Sequence, residues 1–316
     1  MPLLEVKNLK VHFRQHSGWF APERSVKAVD GVSFVLEPGE IVGLVGESGC
    51  GKSTLGRAVV RLEQPTSGQV FIDGKDLYKL SGRQLKEIYG RYQMIFQDPY
   101  GSLNPRLTIF SALDEVLNCK GGLSEKERRE QAAALLRRVG LAPDVMGRFP
   151  HQFSGGQRQR IGIARALAGS PGFIVADEPV SALDVSVQAA IVNLLEDIRN
   201  NEGTAFLFIA HDLAVVEHIS DRIMVMYLGH VVESAPAKEL VSSPQHHNTQ
   251  ALLSAVPSLK KNNSRIILKG DVPSPLAPPP GCPFHPRCPY AKEICRTVMP
   301  EMKKNGSHGV ACFLCD

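Results

Sequence analysis

The chain predicts an α/β fold built on a mostly parallel sheet, and three observations carry that expectation. Apolar, strand-like runs recur at residues 41–45, 173–176, 206–210 and 223–227. Helical stretches separate them, an alternation that covers a parallel sheet on both faces. The run Gly46-Glu47-Ser48-Gly49-Cys50-Gly51-Lys52-Ser53-Thr54 fills every fixed position of G-x-x-x-x-G-K-[ST], between the strand-like run at 41–45 and a helix-like one at 55–62. That strand–loop–helix context separates a working phosphate loop from a Gly-rich turn.

In chain order, Leu4-Glu5-Val6, Val11-His12-Phe13 and Val32-Ser33-Phe34-Val35-Leu36 alternate as half-buried strands do. Pro38-Gly39 turns into the strand that feeds the loop. Within the loop, glycines let successive backbone N–H groups face a phosphate, and the next helix points its positive end there. Lys52 is placed to reach the β- and γ-phosphates, and Ser53 to offer a hydroxyl to Mg²⁺. Val70-Phe71-Ile72-Asp73-Gly74 reads as a strand ending in a turn. From 107 to 153 the pattern is helical. Ala132, Leu135, Leu136 and Val139 share one face, and Gly140 stops the helix.

Composition narrows the function classes. The 316 residues are 43% hydrophobic, ample for a core, and the net charge of +4 is mild. No concentrated basic stripe is present, so nucleic acid is not an expected partner. Arg128 and Arg129 stand beside Glu125, Glu127 and Glu130, as on a solvated helix face. No apolar stretch approaches the roughly eighteen residues of a membrane span. The start of the chain does not read as a signal peptide. A cytosolic setting, with the seven cysteines reduced, is the expectation. No internal repeat is visible.

Further residues fit nucleotide hydrolysis. Phe173-Ile174-Val175-Ala176-Asp177-Glu178 is an apolar strand ending in two carboxylates, which are costly to bury without a cation or a proton. Asp177 suits the Mg²⁺ shell, and Glu178 suits the general base that polarises the attacking water. Gln97 ends the strand-like run Met94-Ile95-Phe96, where its amide can meet both Mg²⁺ and that water. His211 follows Phe208-Ile209-Ala210 and is placed for the γ-phosphate. A lone histidine there is more often structural, so its weight comes from its neighbours. Ser154-Gly155-Gly156-Gln157 precedes a helix-like segment at 158–168 and forms a second anion-binding device. Two such devices in one chain suggest a nucleotide shared between two subunits.

These motifs, with Ser181-Ala182-Leu183-Asp184, occur in the order and spacing of the ATP-binding subunits of ABC transporters, which the chain resembles over about residues 3 to 240. The resemblance implies a RecA-like P-loop NTPase core with a mostly parallel sheet. To that core it adds an N-terminal antiparallel β subdomain, a helical subdomain insert at about 98–155, and a Cys-rich C-terminal extension at 241–316. It implies a head-to-tail dimer, homomeric or with a sister ATPase. Ser154, Gly155, Gly156 and Gln157 of one subunit would then face ATP held by the other, with Asp184 joining the two sites. It also implies an aromatic ring under the adenine. Phe13 is the choice by position, with Trp19 and Phe20 as alternatives. ATP closes such a dimer through its higher affinity for the closed state.

Two stretches resemble the oligopeptide/dipeptide importer branch, and specifically its second ATPase. One is Phe96-Gln97-Asp98-Pro99-Tyr100-Gly101-Ser102-Leu103-Asn104-Pro105-Arg106. The other is Asp177-Glu178-Pro179-Val180-Ser181-Ala182-Leu183-Asp184-Val185-Ser186-Val187-Gln188. The branch also moves nickel, glutathione and other small solutes. It implies integral membrane permease partners, an indirect link to a solute-binding protein, and a peripheral place on the cytoplasmic membrane face. Where the branch commonly has His-Pro-Tyr, this chain reads His246-His247-Asn248. The other class left open is a soluble ABC-type ATPase that uses ATP as a clamp. That class usually carries two cassettes, coiled-coil inserts or basic arms, none of which is seen.

A Pro-rich connector at 271–281 leads to Cys282, Cys288, Cys295, Cys312 and Cys315. The first four are spaced by five, six and sixteen residues, which leaves room for loops around a metal. Soft thiolates select Zn²⁺ or an iron–sulfur cluster, with buried reduced thiols as the plain alternative. The segment Gly281-Cys282-Pro283-Phe284-His285-Pro286-Arg287-Cys288-Pro289-Tyr290 resembles the C-terminal module of peptide-importer ATPases. That resemblance implies a [4Fe–4S] cluster on Cys282, Cys288, Cys295 and Cys312, with zinc as the main alternative and Cys315 able to replace Cys312. Cys50 and Cys119 carry no expected chemistry.

Overall fold

The computed structural model describes residues 1–15, 24–119, 121–181, 183–256 and 266–315. Trp19 and Phe20 lie outside the described residues. The chain divides into two compact units: 1–36, 41–78 and 208–316 form the first, 37–40 and 79–207 the second.

The first unit opens with an antiparallel sheet. β1 (Leu4–Gln15) pairs with β2 (Arg24–Leu36). The two strand-like runs at Leu4 and Val11 are one strand, because a bulge joins them. Asn8 takes φ 44, and the register shifts between Val6 and Leu9. Asparagine tolerates that left-handed backbone better than most residues. The extra residue returns Leu9 and Val11 to the same buried face as Leu4 and Val6. β3 (Ile41–Val45) is buried throughout and leads into α1 (Lys52–Val59). That helix begins three residues before the expected 55, since the last loop residues already form its first turn. β4 (Ser67–Ile72) and β5 (Lys75–Asp76) complete a sheet ordered β2-β1-β4-β5. Their hairpin turns on Asp73 and Gly74 at φ 49 and 73, as a two-residue turn between twisted strands requires.

The second unit begins with α2 (Gly82–Tyr89) and β6 (Tyr92–Ile95). A helical excursion follows: α3 (Ile109–Cys119), α4 (Glu125–Arg138) and α5 (Gly155–Ala168). Ser124 and Glu127 form a capping box that starts α4, and Gly140 at φ 74 ends the segment. β7 (Phe173–Asp177) returns parallel to β6, with Met94 opposite Val175. α6 (Val185–Glu202) and β8 (Ala205–Ile209) carry the chain back to the first unit.

There, α7 (Leu213–Ile219) precedes β9 (Arg222–Tyr227), which pairs parallel with β3. α7 packs so closely on β3 that a Cβ on Gly43 would lie 2.2 Å from a methyl of Val216. β10 (His230–Pro236) turns back antiparallel to β9. α8 (Ala237–Ser242) and α9 (His247–Ser254) follow. The connector at 271–281 forms no helix. The cysteine-rich end is irregular except for a 3-10 turn at Glu293–Arg296 and two short strands, β11 (Lys303–Asn305) and β12 (His308–Val310). β12 joins the edge of β10, with Glu233 opposite Val310. His308 fixes that docking: its ring faces Glu233 at 2.7 Å and Glu239 at 3.1 Å, with Glu233 fully buried.

Among the described residues, no helix is long and apolar enough to cross a membrane.

Candidate functional site

The first unit holds the phosphate loop between β3 and α1. Gly46 and Gly51 take φ 154 and 105. Side chains there are excluded, because a Cβ on Gly46 would lie 2.2 Å from the Met226 carbonyl and one on Gly51 would lie 1.9 Å from that of Ala28. Ser48 and Gly49 are exposed at the tip, and Ser53 and Thr54 are half-buried in the first turn of α1. Lys52 is buried, and its ammonium donates to the carbonyls of Gly46 at 2.8 Å and Glu47 at 3.1 Å. Those bonds satisfy a charge that would otherwise be costly to bury. The Cys50 sulfur is 3.7 Å from the same ammonium, and burial pushes its thiol pKa up. Cys50 is itself buried in the loop.

The same unit carries Phe13 and His211. Phe13 lies on β1 opposite Val26 and leaves 39% of its surface exposed. His211 is exposed just after β8. Asp212 next to it caps α7, accepting from the Ala214 N–H at 2.9 Å.

The second unit holds Gln97, Asp177, Glu178 and the Ser-Gly-Gly-Gln segment. Asp177 ends β7 almost fully buried. Glu178 follows at φ 44, a left-handed conformation that costs a non-glycine residue of order 1 kcal/mol or more. Gln97 Nε2 donates to Glu178 Oε2 at 2.8 Å. The structure thus brings together two residues that the sequence separates by 81 positions.

Ser154 is the N-cap of α5 and forms a capping box with Gln157. The Gln157 N–H donates to Ser154 Oγ at 3.4 Å, and the Ser154 N–H donates to Gln157 Oε1 at 3.1 Å. The helix starts at Gly155, not at 158. Two consecutive glycines suggest a loop by propensity, but here they form its first turn. Gly156 has a packing reason: a Cβ would meet a Val187 methyl of α6 at 2.6 Å. Asp184 caps the start of α6, is exposed, and makes no side-chain capping bond.

In the C-terminal module, Cys282, Cys288, Cys295 and Cys312 gather close enough to sense one another's charge. Burial pushes the Cys282 pKa up to about 11, against a backbone hydrogen bond from Phe284 that lowers it and with smaller help from the other three thiols. The thiols do not form a ligand shell. Among the described residues, no group of three or more His, Cys, Asp or Glu side chains is arranged to hold a metal ion. The expected [4Fe–4S] cluster or zinc therefore lacks structural support. The Cys315 thiol donates to the Gln245 carbonyl at 3.5 Å.

Three residues of this region carry contacts that their motifs did not signal. Phe284 is buried edge-on to Tyr227, with ring centroids 5.3 Å apart, and 5.4 Å from the His246 ring. His246 caps α9, its Nδ1 accepting from the Asn248 N–H at 3.1 Å. His247 is thereby the first helical residue, the position that favours the proline of His-Pro-Tyr. Arg287 pairs with Glu47 of the phosphate loop. Partners 240 residues apart leave no local pattern to read.

Known proteins resemble this chain along its whole length. A family profile described as ABC transporter matches residues 29–181, and one described as Oligopeptide/dipeptide transporter, C-terminal region, matches residues 232–295. The oligopeptide transport ATP-binding protein AppF of Bacillus subtilis (strain 168) is 53% identical over 99% of this chain and 97% of its own. The dipeptide transport ATP-binding protein DppF of Escherichia coli (strain K12) is 50% identical over 100% of this chain and 95% of its own. The dimeric structure of MJ0796, a bacterial ABC transporter cassette, is 31% identical with a TM-score of 0.67, covering 74% of this chain and 98% of that one. A second dimeric structure of that cassette, in a post-hydrolysis state with ADP and Pi, gives a TM-score of 0.65 at the same identity and coverage. On full-length identity of this order, the chain belongs to the ABC transporter ATP-binding family, in the group that carries the oligopeptide/dipeptide transporter C-terminal region.

Proposed function

We propose that this chain is the ATP-hydrolysing subunit that powers import of dipeptides or oligopeptides through a membrane ABC transporter. The observation that carries the reading is likeness of 50 to 53% to peptide-transport ATP-binding proteins along the whole chain, C-terminal region included. Residues 1–240 form the cassette, with the helical subdomain at about 98–155 passing motion to permease subunits. Residues 241–316 form the extension. The protein works at the cytoplasmic membrane face, held by its permeases and paired with a sister ATPase or a second copy of itself.

In this reading the glycines and backbone N–H groups of 46–54 wrap the phosphates of ATP, Lys52 pairs with the terminal ones, and Phe13 stacks under the base. Mg²⁺, when bound, neutralises the developing phosphate charge, with Ser53, Gln97 and Asp177 as its holders. Glu178 accepts the proton of the attacking water. Its bond to Gln97 keeps the carboxylate turned to one side, and His211 completes the γ-phosphate contacts. Ser154, Gly155, Gly156, Gln157 and Asp184 act on the nucleotide of the opposite subunit. The capping box engages the Ser154 and Gln157 N–H groups, and those of Gly155 and Gly156 stand between them at the positive end of α5.

The cysteine module enters no step of hydrolysis. A cluster or zinc on Cys282, Cys288, Cys295 and Cys312 rests on the residue pattern alone. Anaerobic purification tests it: stoichiometric iron or zinc, lost in a Cys282→Ser/Cys288→Ser variant, supports the metal, and metal-free protein rejects it. Capture of the assembled complex tests the main reading. Permeases and a peptide-binding protein in the complex support peptide import. A nickel- or glutathione-binding component redirects the substrate, and the absence of any permease favours the soluble clamp.

A further inference from the structure

The C-terminal module reaches the phosphate loop directly. Arg287 Nη1 donates to both carboxylate oxygens of Glu47, at 2.9 and 2.8 Å, and lies 3.5 Å from the Tyr227 hydroxyl. The two side chains are only 11% and 21% exposed, so water and salt screen the pair little. Glu47 is the second residue of the loop. Its carbonyl accepts from Lys52 at 3.1 Å and from the Cys50 N–H at 3.2 Å. The backbone of Glu47 therefore helps close the loop, while its side chain is gripped from outside it. Left unpaired, that carboxylate would set a negative charge beside the place where a polyanion must bind.

Arg287 is held in position by local structure. The backbone turns tightly from Phe284 to Cys288, whose N–H groups at 287 and 288 both donate to the Phe284 carbonyl at 3.0 Å. Phe284 itself plugs the space between Tyr227 and His246. Tyr227 ends β9, which pairs with the strand feeding the loop. The plug and the ion pair thus fasten one turn of the module to the base of the nucleotide site.

We propose that Arg287 is a positioning residue of the phosphate loop: it pins and neutralises Glu47, so that the folded C-terminal module sets how tightly the loop holds MgATP. This rests on the nucleotide reading of residues 46–54. It also gives the module a role that chemistry at Glu178 does not require.

The test uses the full-length chain for MgATP binding and its assembled complex for turnover. Arg287→Gln should raise the MgATP Kd and KM about five- to tenfold, because it leaves Glu47 charged and unpaired. The kcat should stay within about twofold, since the Gln97–Glu178 pair is untouched. Adding Glu47→Gln to that variant should bring the Kd back to within about twofold of wild type, as expected when the liability is a stranded charge. Arg287→Lys, which keeps the charge but not the planar, fixed placement of Nη1 on both oxygens, should raise the Kd about two- to threefold. Should Arg287→Gln fail to fold, Arg287→Lys with and without Glu47→Gln carries the test. Unchanged affinity in the Arg287 variants, or no recovery in the double variant, overturns the proposal. Wild-type chain that retains no MgATP defeats the nucleotide reading itself, whereas normal wild-type binding with indifferent variants defeats only the Arg287 link.

Discussion

Glu178 combines a strained backbone at φ 44 with a side-chain bond from Gln97. A residue held that way keeps its carboxylate where the surrounding structure puts it, not where its own torsions prefer. Glu178→Gln preserves an oxygen for the Gln97 donor and removes only the base. ATP hydrolysis in the assembled complex should fall at least about a hundredfold while MgATP affinity changes little. Near-normal turnover would remove Glu178 as the base. The adjacent carboxylates of Asp177 and Glu178 were legible in the sequence, because an apolar strand ending in two acids demands a cation or a proton. The partnership with Gln97 was not, and neither was Arg287 on Glu47, because nothing local in a chain records which distant side chain completes a bond.

At the scale of elements, the glycines at the start of α5 have different neighbours. A Cβ on Gly155 would sit in ordinary contact with Leu183 at 3.6 Å, whereas one on Gly156 would collide with Val187 at 2.6 Å. Gly156→Ala should therefore destabilise the second unit by about 1–3 kcal/mol through crowding of α5 on α6. Gly155→Ala should be close to neutral. Urea midpoints of the two variants check this, and equal midpoints would contradict it. The close approach explains why sequence reading began the helix late: the glycines were read as loop, but packing keeps Gly156 small.

α9 offers a pH test. Burial pushes the His246 pKa down to about 3, with His247 adding to the effect. Below about 6.5 the unfolded chain binds a proton that the folded chain refuses. The contribution of His246 is thus intact above pH 6.5 and is lost as pH falls toward 3. The loss amounts to about 2 kcal/mol by pH 5. His246→Asn keeps a capping oxygen and does not titrate. Hydrogen exchange of the α9 amides should quicken between pH 7 and 5, after correction for intrinsic rates, in the wild type but much less in the variant. Parallel behaviour would clear His246 of that role. Strands β3, β7, β8 and β9 were legible as short, continuously apolar runs. The bulge at Asn8 was not, because a register shift hides inside two runs that each look complete.

For the whole molecule, each chain carries one phosphate loop in its first unit and one Ser-Gly-Gly-Gln helix start in its second. One nucleotide needs only one wrapping loop, so the second device has work only if two chains cooperate. The reading of a shared nucleotide follows from that surplus and from family membership. The α/β architecture and the phosphate-loop pattern could be read from the sequence, because such a loop constrains short, contiguous backbone. The C-terminal module was legible only as a cysteine pattern. Its attachments through Phe284, Arg287 and His308 are long-range and emerge only on folding.

The most direct test is the association state of the Glu178→Gln chain, with its partner ATPase present if it has one, measured by sedimentation with and without MgATP. The account predicts a stable ATPase dimer with MgATP that dissociates when ADP replaces it. An association state indifferent to MgATP, in protein shown to retain the nucleotide, would contradict it.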